Sequence, residues 1–171
     1  MSRLDARAVI ERLGLEPLPG EGGYYRESYR SEESLSAEAL PNRYAGGRRL
    51  GSAIYFLLTD GPQGFSAWHR LPTDEIYHFY LGDPVGLRLL HPGGAGEQIV
   101  LGPDLEAGQR PQALAPRGSW QGSRLLPGGR WALLGTTMAP GFDWSDFELA
   151  EAAELLQGWP DQERQIRELL R

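Results

Sequence analysis

Residues 52–90 read SAIYFLLTDGPQGFSAWHRLPTDEIYHFYLGDPVGLRLL, four runs rich in apolar, aromatic and β-branched residues parted by TDGPQG, PTD and GDP. Each run is about as long as an ordinary strand, and each break holds the Gly, Pro and Asp that turns require. The series continues with HPGG, EQIVL (97–101), PQALAP (111–116), WQGSRLL (120–126), PGG and RWALLGTTM (130–138). Short strands at such regular spacing predict an all-β sandwich or barrel, and nothing in the series suggests alternating βαβ units.

The rest of the composition fits one such unit. A chain of 171 residues is near the usual size of a single domain and can bury a sizeable core. The 23 Gly and 13 Pro are read as punctuation between strands. A formal net charge of −6 argues against a partner recognised through a phosphate backbone, so nucleic acid is not expected. The absence of cysteine removes disulfides, thiolate nucleophiles and every Cys-containing zinc site, leaving only N and O ligands for any metal. The N-terminal MSRLDARAVIERLG has no apolar signal core, and no later run approaches a membrane span. A cytoplasmic protein that does not bind membranes is the default expectation.

Flanking the strands, residues 2–13 are expected to form a helix capped by Ser2, with Leu4, Val9, Ile10 and Leu13 on one face and Gly14 as its stop. YYRESYR (24–30) reads as a strand with Tyr25, Glu27 and Tyr29 on one face and Tyr24, Arg26, Ser28 and Arg30 on the other. Residues 31–49 are polar and aperiodic, a long loop of functional or mobile character. SDFELAEAAELLQ (145–157) and DQERQIRELL (161–170) have helical composition and are expected to cover an outer sheet face. The expected layout is an N-terminal helix and loop (1–19), a barrel (20–140) and a helical C-terminal segment (141–171) within one domain.

The chemistry centres on WHRLPTDEIYHFYLG (68–82). His69 and Leu71 share a strand face; Glu75, Tyr77 and Phe79 share a face of the next strand, and pairing of the two strands as a hairpin would bring His69 and Glu75 together. His78 points the other way, with Ile76 and Tyr80, toward packing or an interface. Trp68 and Trp120 project away from their polar neighbours, which weakens both as pocket walls, and Trp131 reads as core or interface. His91, before Pro-Gly-Gly, reads as a solvated turn residue. The histidine offers a base near neutral pH, a buried Glu75 an acid with a raised pKa, and Tyr77 a phenol.

Two motifs add a resemblance. Gly64–Gly82, G-FSAW-H-R-L-PTD-E-IYHFYL-G, is similar to the first cupin motif, G-x5-H-x-H-x3-E-x6-G, with one residue fewer in its first spacer and leucine at the second histidine. PRGSWQG (116–122) resembles the core of the second motif, P-x-G-x2-H, with Gln121 in the histidine position. EGGYYRESYRS, SAIYFLL, WHRLPTDEIYHFYLGDP, PRGSWQG and APGFDWSDFELA occur in one order over almost the whole chain, and together they resemble the cupin-5 family, also called DUF985. The resemblance implies a cupin double-stranded β-helix, that is a jelly-roll barrel, and a homodimer. Carried over by position, a metal site would use His69, Glu75 and Gln121 beside Leu71. Because leucine cannot ligate and an amide oxygen is a weak donor, no cofactor is expected beyond loose occupancy by a divalent ion.

Three functions compete. The first is metal-independent proton transfer of the kind carried out by cupin-fold deoxysugar epimerases, with His69, Glu75 and Tyr77 as acid/base groups. Arg26, Glu27, Arg88 and Gln121 would bind a small polar ligand, anionic or of nucleotide-sugar type. The second is a non-catalytic module for a small metabolite. The third is a metal-dependent oxygenase or isomerase on the degenerate His69, Glu75 and Gln121 site.

Overall fold

The computed structural model describes residues 4–171. Thirteen strands run as β1 (Glu16–Pro17), β2 (Tyr24–Arg30), β3 (Ser34–Leu35), β4 (Arg48–Arg49), β5 (Ser52–Thr59), β6 (Ser66–Arg70), β7 (Glu75–Gly82) and β8 (Val85–Leu90), then β9 (Gly96–Leu101), β10 (Gln112–Ala115), β11 (Trp120–Leu125), β12 (Trp131–Met138) and β13 (Glu148–Leu149). Every strand expected between 52 and 138 is present, with ends displaced by at most a residue or two.

The strands form a six-stranded sheet of order β1-β2-β5-β12-β7-β10 and a five-stranded sheet of order β13-β6-β11-β8-β9, with β3 and β4 paired separately. From β5 to β8 the chain changes sheet at every connection, which closes the two sheets into a jelly roll. The expected hairpin between the β6 and β7 runs is therefore corrected. β6 pairs with β11 and β13, β7 pairs with β10 and β12, and Pro72-Thr73-Asp74 carries the chain from one sheet to the other. His69 and Glu75 therefore belong to different sheets and line one cavity of the barrel rather than pairing across a ladder.

Alternation then decides what faces inward. Phe56, Leu58, Tyr77, Leu87, Leu89 and Leu134 pack between the sheets as the central core. Burying a side chain of this size is worth roughly 1.5–3 kcal/mol, so this layer holds the sheets face to face. Outside the six-stranded sheet, Val9 of α1 (Ala6–Leu13) and Leu15 pack on Leu57 and Leu133. Outside the five-stranded sheet, Leu155 of α2 (Ala152–Gly158), Ile166 of α3 (Glu163–Arg167) and Leu169 pack on Trp68 and Trp120. Both tryptophans thus project away from His69 and Gln121, as alternation requires, and the helices cover outer sheet faces as expected.

Several boundaries differ from the sequence reading. The first helix is capped by Asp5, whose carboxylate accepts from the Ala8 N–H at 2.8 Å; Ser2, expected in that role, lies outside the described residues. The expected 145–157 helix begins only at Ala152, because Glu148 and Leu149 pair with Arg70 and His69 at the edge of β6. Available ladder partners override the helical composition there. The 31–49 segment is pinned: Tyr44 is buried with its hydroxyl 2.7 Å from Thr73 Oγ1, and Arg43 donates to the Pro72 carbonyl at 2.9 Å. His91 is likewise anchored, with Nδ1 3.0 Å from Ser119 Oγ and Nε2 3.0 Å from Glu97. Among the described residues no helix is long and apolar enough to cross a membrane.

Candidate functional site

A cavity of about 240 Å³ opens at one end of the barrel, and His69, Leu71, Glu75 and Tyr77 all line it. Each is almost fully buried, His69 at the inward-facing end of β6 and Glu75 and Tyr77 on the inward face of β7. Gln121, opposite His69 in the β6–β11 ladder, donates Nε2 to Glu75 Oε2 at 2.7 Å. The amide orientation follows from the partner, since only the nitrogen can donate to a carboxylate. That leaves Gln121 Oε1 buried without a protein partner, as is Ser123 Oγ on the same strand.

His69 Nδ1 lies 2.9 Å from the Ala67 carbonyl oxygen, which can only accept, so in the neutral ring Nδ1 carries the proton and Nε2 the lone pair. Phe147 stacks on the imidazole with ring centroids 5.3 Å apart. Burial, reinforced by the charges of Glu75 and Glu21, pushes the Tyr77 phenol well above its ordinary value, so it keeps its proton at neutral pH.

Glu21 is a site residue that the sequence reading missed. It is buried, lines the cavity, accepts from Ser66 Oγ at 2.7 Å and stands 3.9 Å from His69 Nδ1. Burial pushes its carboxyl above the ordinary 4.5, opposed by His69 and the Ser66 hydrogen bond. The EGG motif explains its placement. Gly23 has φ +69°, and a Cβ there would lie 2.9 Å from both the Leu57 carbonyl oxygen and the Phe56 ring, so only glycine lets this turn press Glu21 onto the barrel. The one sequence signal was a charged residue embedded in glycines before a strand.

The mouth also departs from expectation. Pairing of β2 with β5 shifts register between Glu27 and Tyr29, so Ser28 is bulged and the face alternation reverses beyond it. Arg30 joins Tyr25 and Glu27 in lining the cavity, while Tyr29 is exposed. Arg26, expected to be the ligand's cation, is corrected: it lies on the outer face, 5.7 Å above the Tyr55 ring. Arg88 is also excluded from the cavity, because it sits on the outer face of β8 and pairs with Glu168 at 2.7 Å beneath the C-terminal helices. Glu27 does reach the mouth, where its carboxylate is held by Arg30 at 2.6 Å.

Residues 142–147, which run into the segment expected to be helical from 145, supply the remaining wall. Phe142, Trp144 and Phe147 line the cavity and meet edge-on, with centroids 5.0–6.4 Å apart. Arg30 donates to the Phe142 carbonyl at 2.9 Å, and buried Arg48 grips Asp146 at 2.5 Å. His78 stays on the far face, its Nε2 2.9 Å from Thr137 Oγ1.

A two-sheet barrel with an open end and a His/Glu pair in its interior defines the cupin class of folds. The sequence profile of the Cupin superfamily (DUF985) matches residues 7–150, and the chain belongs to that family. Protein SO0799 from Shewanella oneidensis is 37% identical, with TM-score 0.86 and 99% of each chain covered. A hypothetical protein from Leishmania major is 30% identical, also with TM-score 0.86, over 98% of this chain and 99% of that one. The uncharacterized Saccharomyces cerevisiae protein YML079W is 29% identical over 146 residues, 80% of this chain and 71% of its own length. Oxalate decarboxylase from Bacillus subtilis, at 13% identity and TM-score 0.52 over 91% of this chain and 37% of its own, shares the fold alone.

Metals are implied by the wider fold class, and the residues here can be tested against one. The motif positions supply one imidazole, an apolar Leu71, a carboxylate and an amide whose N–H points at that carboxylate. Among the described residues, no group of three or more His, Cys, Asp or Glu is arranged to hold a metal ion. This donor set does not fit a transition ion that prefers several imidazoles.

Proposed function

We propose that the barrel takes a small polar ligand into this cavity and moves a proton at a carbon beside a carbonyl, an epimerase- or isomerase-type reaction without metal. The observation that carries the reading is that His69, Glu75 and Tyr77 line one buried cavity, the first with its Nδ1 fixed and the last with its proton held. His69 Nε2 would take the proton from the carbon, the C–H pair would become the enolate π bond, and the carbonyl pair would move to oxygen. Tyr77 would supply a proton to the opposite face of that carbon, and Glu75, fixed by Gln121, would orient the ligand through an acceptor oxygen. The anionic and nucleotide-sugar version has weak support, since Arg26 faces away and Arg30 is already paired with Glu27.

Incubation in deuterated water with a panel of small carbonyl compounds and sugars tests this. Uptake of deuterium at the carbon next to the carbonyl, abolished by His69→Ala, is the expected result. Tight binding without any exchange would leave the non-catalytic module as the function, and neither binding nor exchange would remove the site altogether.

The homodimer implied by the family is also proposed, through the outer face of the six-stranded sheet. Ile76, Tyr80 and Leu114 lie exposed on that face, Ile76 and Leu114 directly opposite each other in the β7–β10 ladder. Sedimentation velocity is expected to show a dimer that Leu114→Glu converts to monomer; a monomeric parent would refute it.

A further inference from the structure

The cavity's own charges say which ligands it prefers. Its lining carries three carboxyl groups, Glu21, Glu27 and Glu75, against one guanidinium, Arg30, and His69. Arg30 is already spent: it binds both oxygens of Glu27 and donates to the Phe142 carbonyl. Glu21 and Glu75 receive only neutral donors, the Ser66 hydroxyl and the Gln121 amide. Arg171, the other cation near Glu21, is held outside the lining by Gln63 and the Phe65 carbonyl. The walls are aromatic, with Tyr25 and Tyr77 on the sheet side and Phe142, Trp144 and Phe147 set nearly perpendicular to one another at the mouth. Crossed aromatic rings above carboxylates that carry no cation within hydrogen-bond distance are an environment in which an organic ammonium is held, by ring quadrupoles and by charge-assisted hydrogen bonds.

We infer that the cavity selects a compact organic cation, a primary amine on a small ring or sugar, whose ammonium is directed to Glu21 and Glu75 between the aromatic walls. This rests on the reading of the cavity as the ligand site and narrows its substrate class from polar to amine-bearing. Burial raises the Glu21 pKa more than His69 and Ser66 lower it, and an arriving ammonium would add counter-charge beside this carboxyl. A carboxylate of the same shape meets a field of its own sign.

The test uses the full chain and matched pairs of probes: benzylamine against benzoate, and histamine against imidazole-4-acetate, with neutral benzyl alcohol as reference. Binding is read by calorimetry and by the fluorescence of Trp144 at the mouth, measured against a Trp144→Phe variant. Each amine is expected to bind at least tenfold more tightly than its carboxylate partner. Glu75→Gln and Glu21→Gln should each reduce that ratio several-fold, with circular dichroism and a cooperative urea transition reporting that the variants are folded. Equal affinity within the pairs, or preference for the carboxylates, overturns the inference. Should the carboxylates bind as tightly as the amines or more tightly, the cavity reading survives without the cation; should no probe bind at all, both fall together.

Discussion

Gln121 donates its amide to Glu75 across 2.7 Å, and in doing so joins β11 of one sheet to β7 of the other inside the barrel. Both side chains are buried, so the bond replaces the water that the Glu75 carboxylate would otherwise need. Gln121→Leu removes the donor and leaves a charged acceptor in an apolar setting. The expected cost is roughly 1–3 kcal/mol in urea unfolding. The double variant Gln121→Leu/Glu75→Leu, which removes both ends, should recover most of it. An undiminished Gln121→Leu midpoint would show that the bond does not hold the sheets.

The wall formed by residues 142–147 depends on a second buried contact. Arg48 and Asp146 have side chains about 4% and 5% exposed and meet at 2.5 Å, with Arg48 also donating to Ser145 Oγ and to two glycine carbonyls. Breaking such a pair from one side strands a buried charge and costs about 3–5 kcal/mol. Asp146→Ala should therefore lose stability on that scale and also weaken ligand binding, because Phe147 is the next residue and stacks on His69. Arg48→Met/Asp146→Leu should restore the stability but not the full affinity. Unfolding curves and titrations on the same samples separate the two effects.

Much of this architecture could be read from the chain. Runs such as SAIYFLL and VGLRLL lie between Gly/Pro/Asp breaks and alternate inward and outward, so strand ends and the inward direction of His69, Glu75 and Tyr77 follow from local pattern. What failed was non-local. The bulge at Ser28 parts Arg30 from the outward face of Arg26 and brings it beside Glu27 at the mouth, and nothing in YYRESYR marks it. Glu21 acquires its role from Ser66 and His69, more than forty residues away. Glu148 and Leu149 have helical neighbours in sequence but an open strand edge beside them in space. Each miss is a position at which a partner distant in sequence determines the conformation.

Loss of imidazoles makes a further prediction. The general cupin motifs that residues 64–82 and 116–122 resemble carry histidine where this chain has Leu71, which lines the cavity with His69, and Gln121, which is bonded to Glu75. Leu71→His/Gln121→His supplies three imidazoles and a carboxylate, a donor set suited to divalent transition ions. The double variant, dialysed against excess zinc or manganese and then desalted, should retain close to one ion per chain by elemental analysis. The parent chain, treated the same way, should retain far less. Comparable retention by both would mean that the native residues already form a competent site.

The buried Glu21 carboxyl ties stability to pH with a definite sign. Its pKa in the folded protein lies above the ordinary 4.5, mainly because burial disfavours the charged form. Below 4.5 the group is protonated in both folded and unfolded chains, and its favourable contribution is complete. As pH rises from there, the unfolded chain releases its proton first, the folded chain binds more protons, and stability falls until the folded pKa is passed. Beyond that point the slope from this group is zero. Glu21→Gln keeps an oxygen that can accept from Ser66 Oγ but cannot titrate, so its stability relative to the parent should rise across that interval and then level off. Urea unfolding of both proteins from pH 4 to pH 8 measures the difference. A constant offset between them would show that Glu21 titrates in the folded state as it does in the unfolded chain, and that the cavity does not withhold solvent from it.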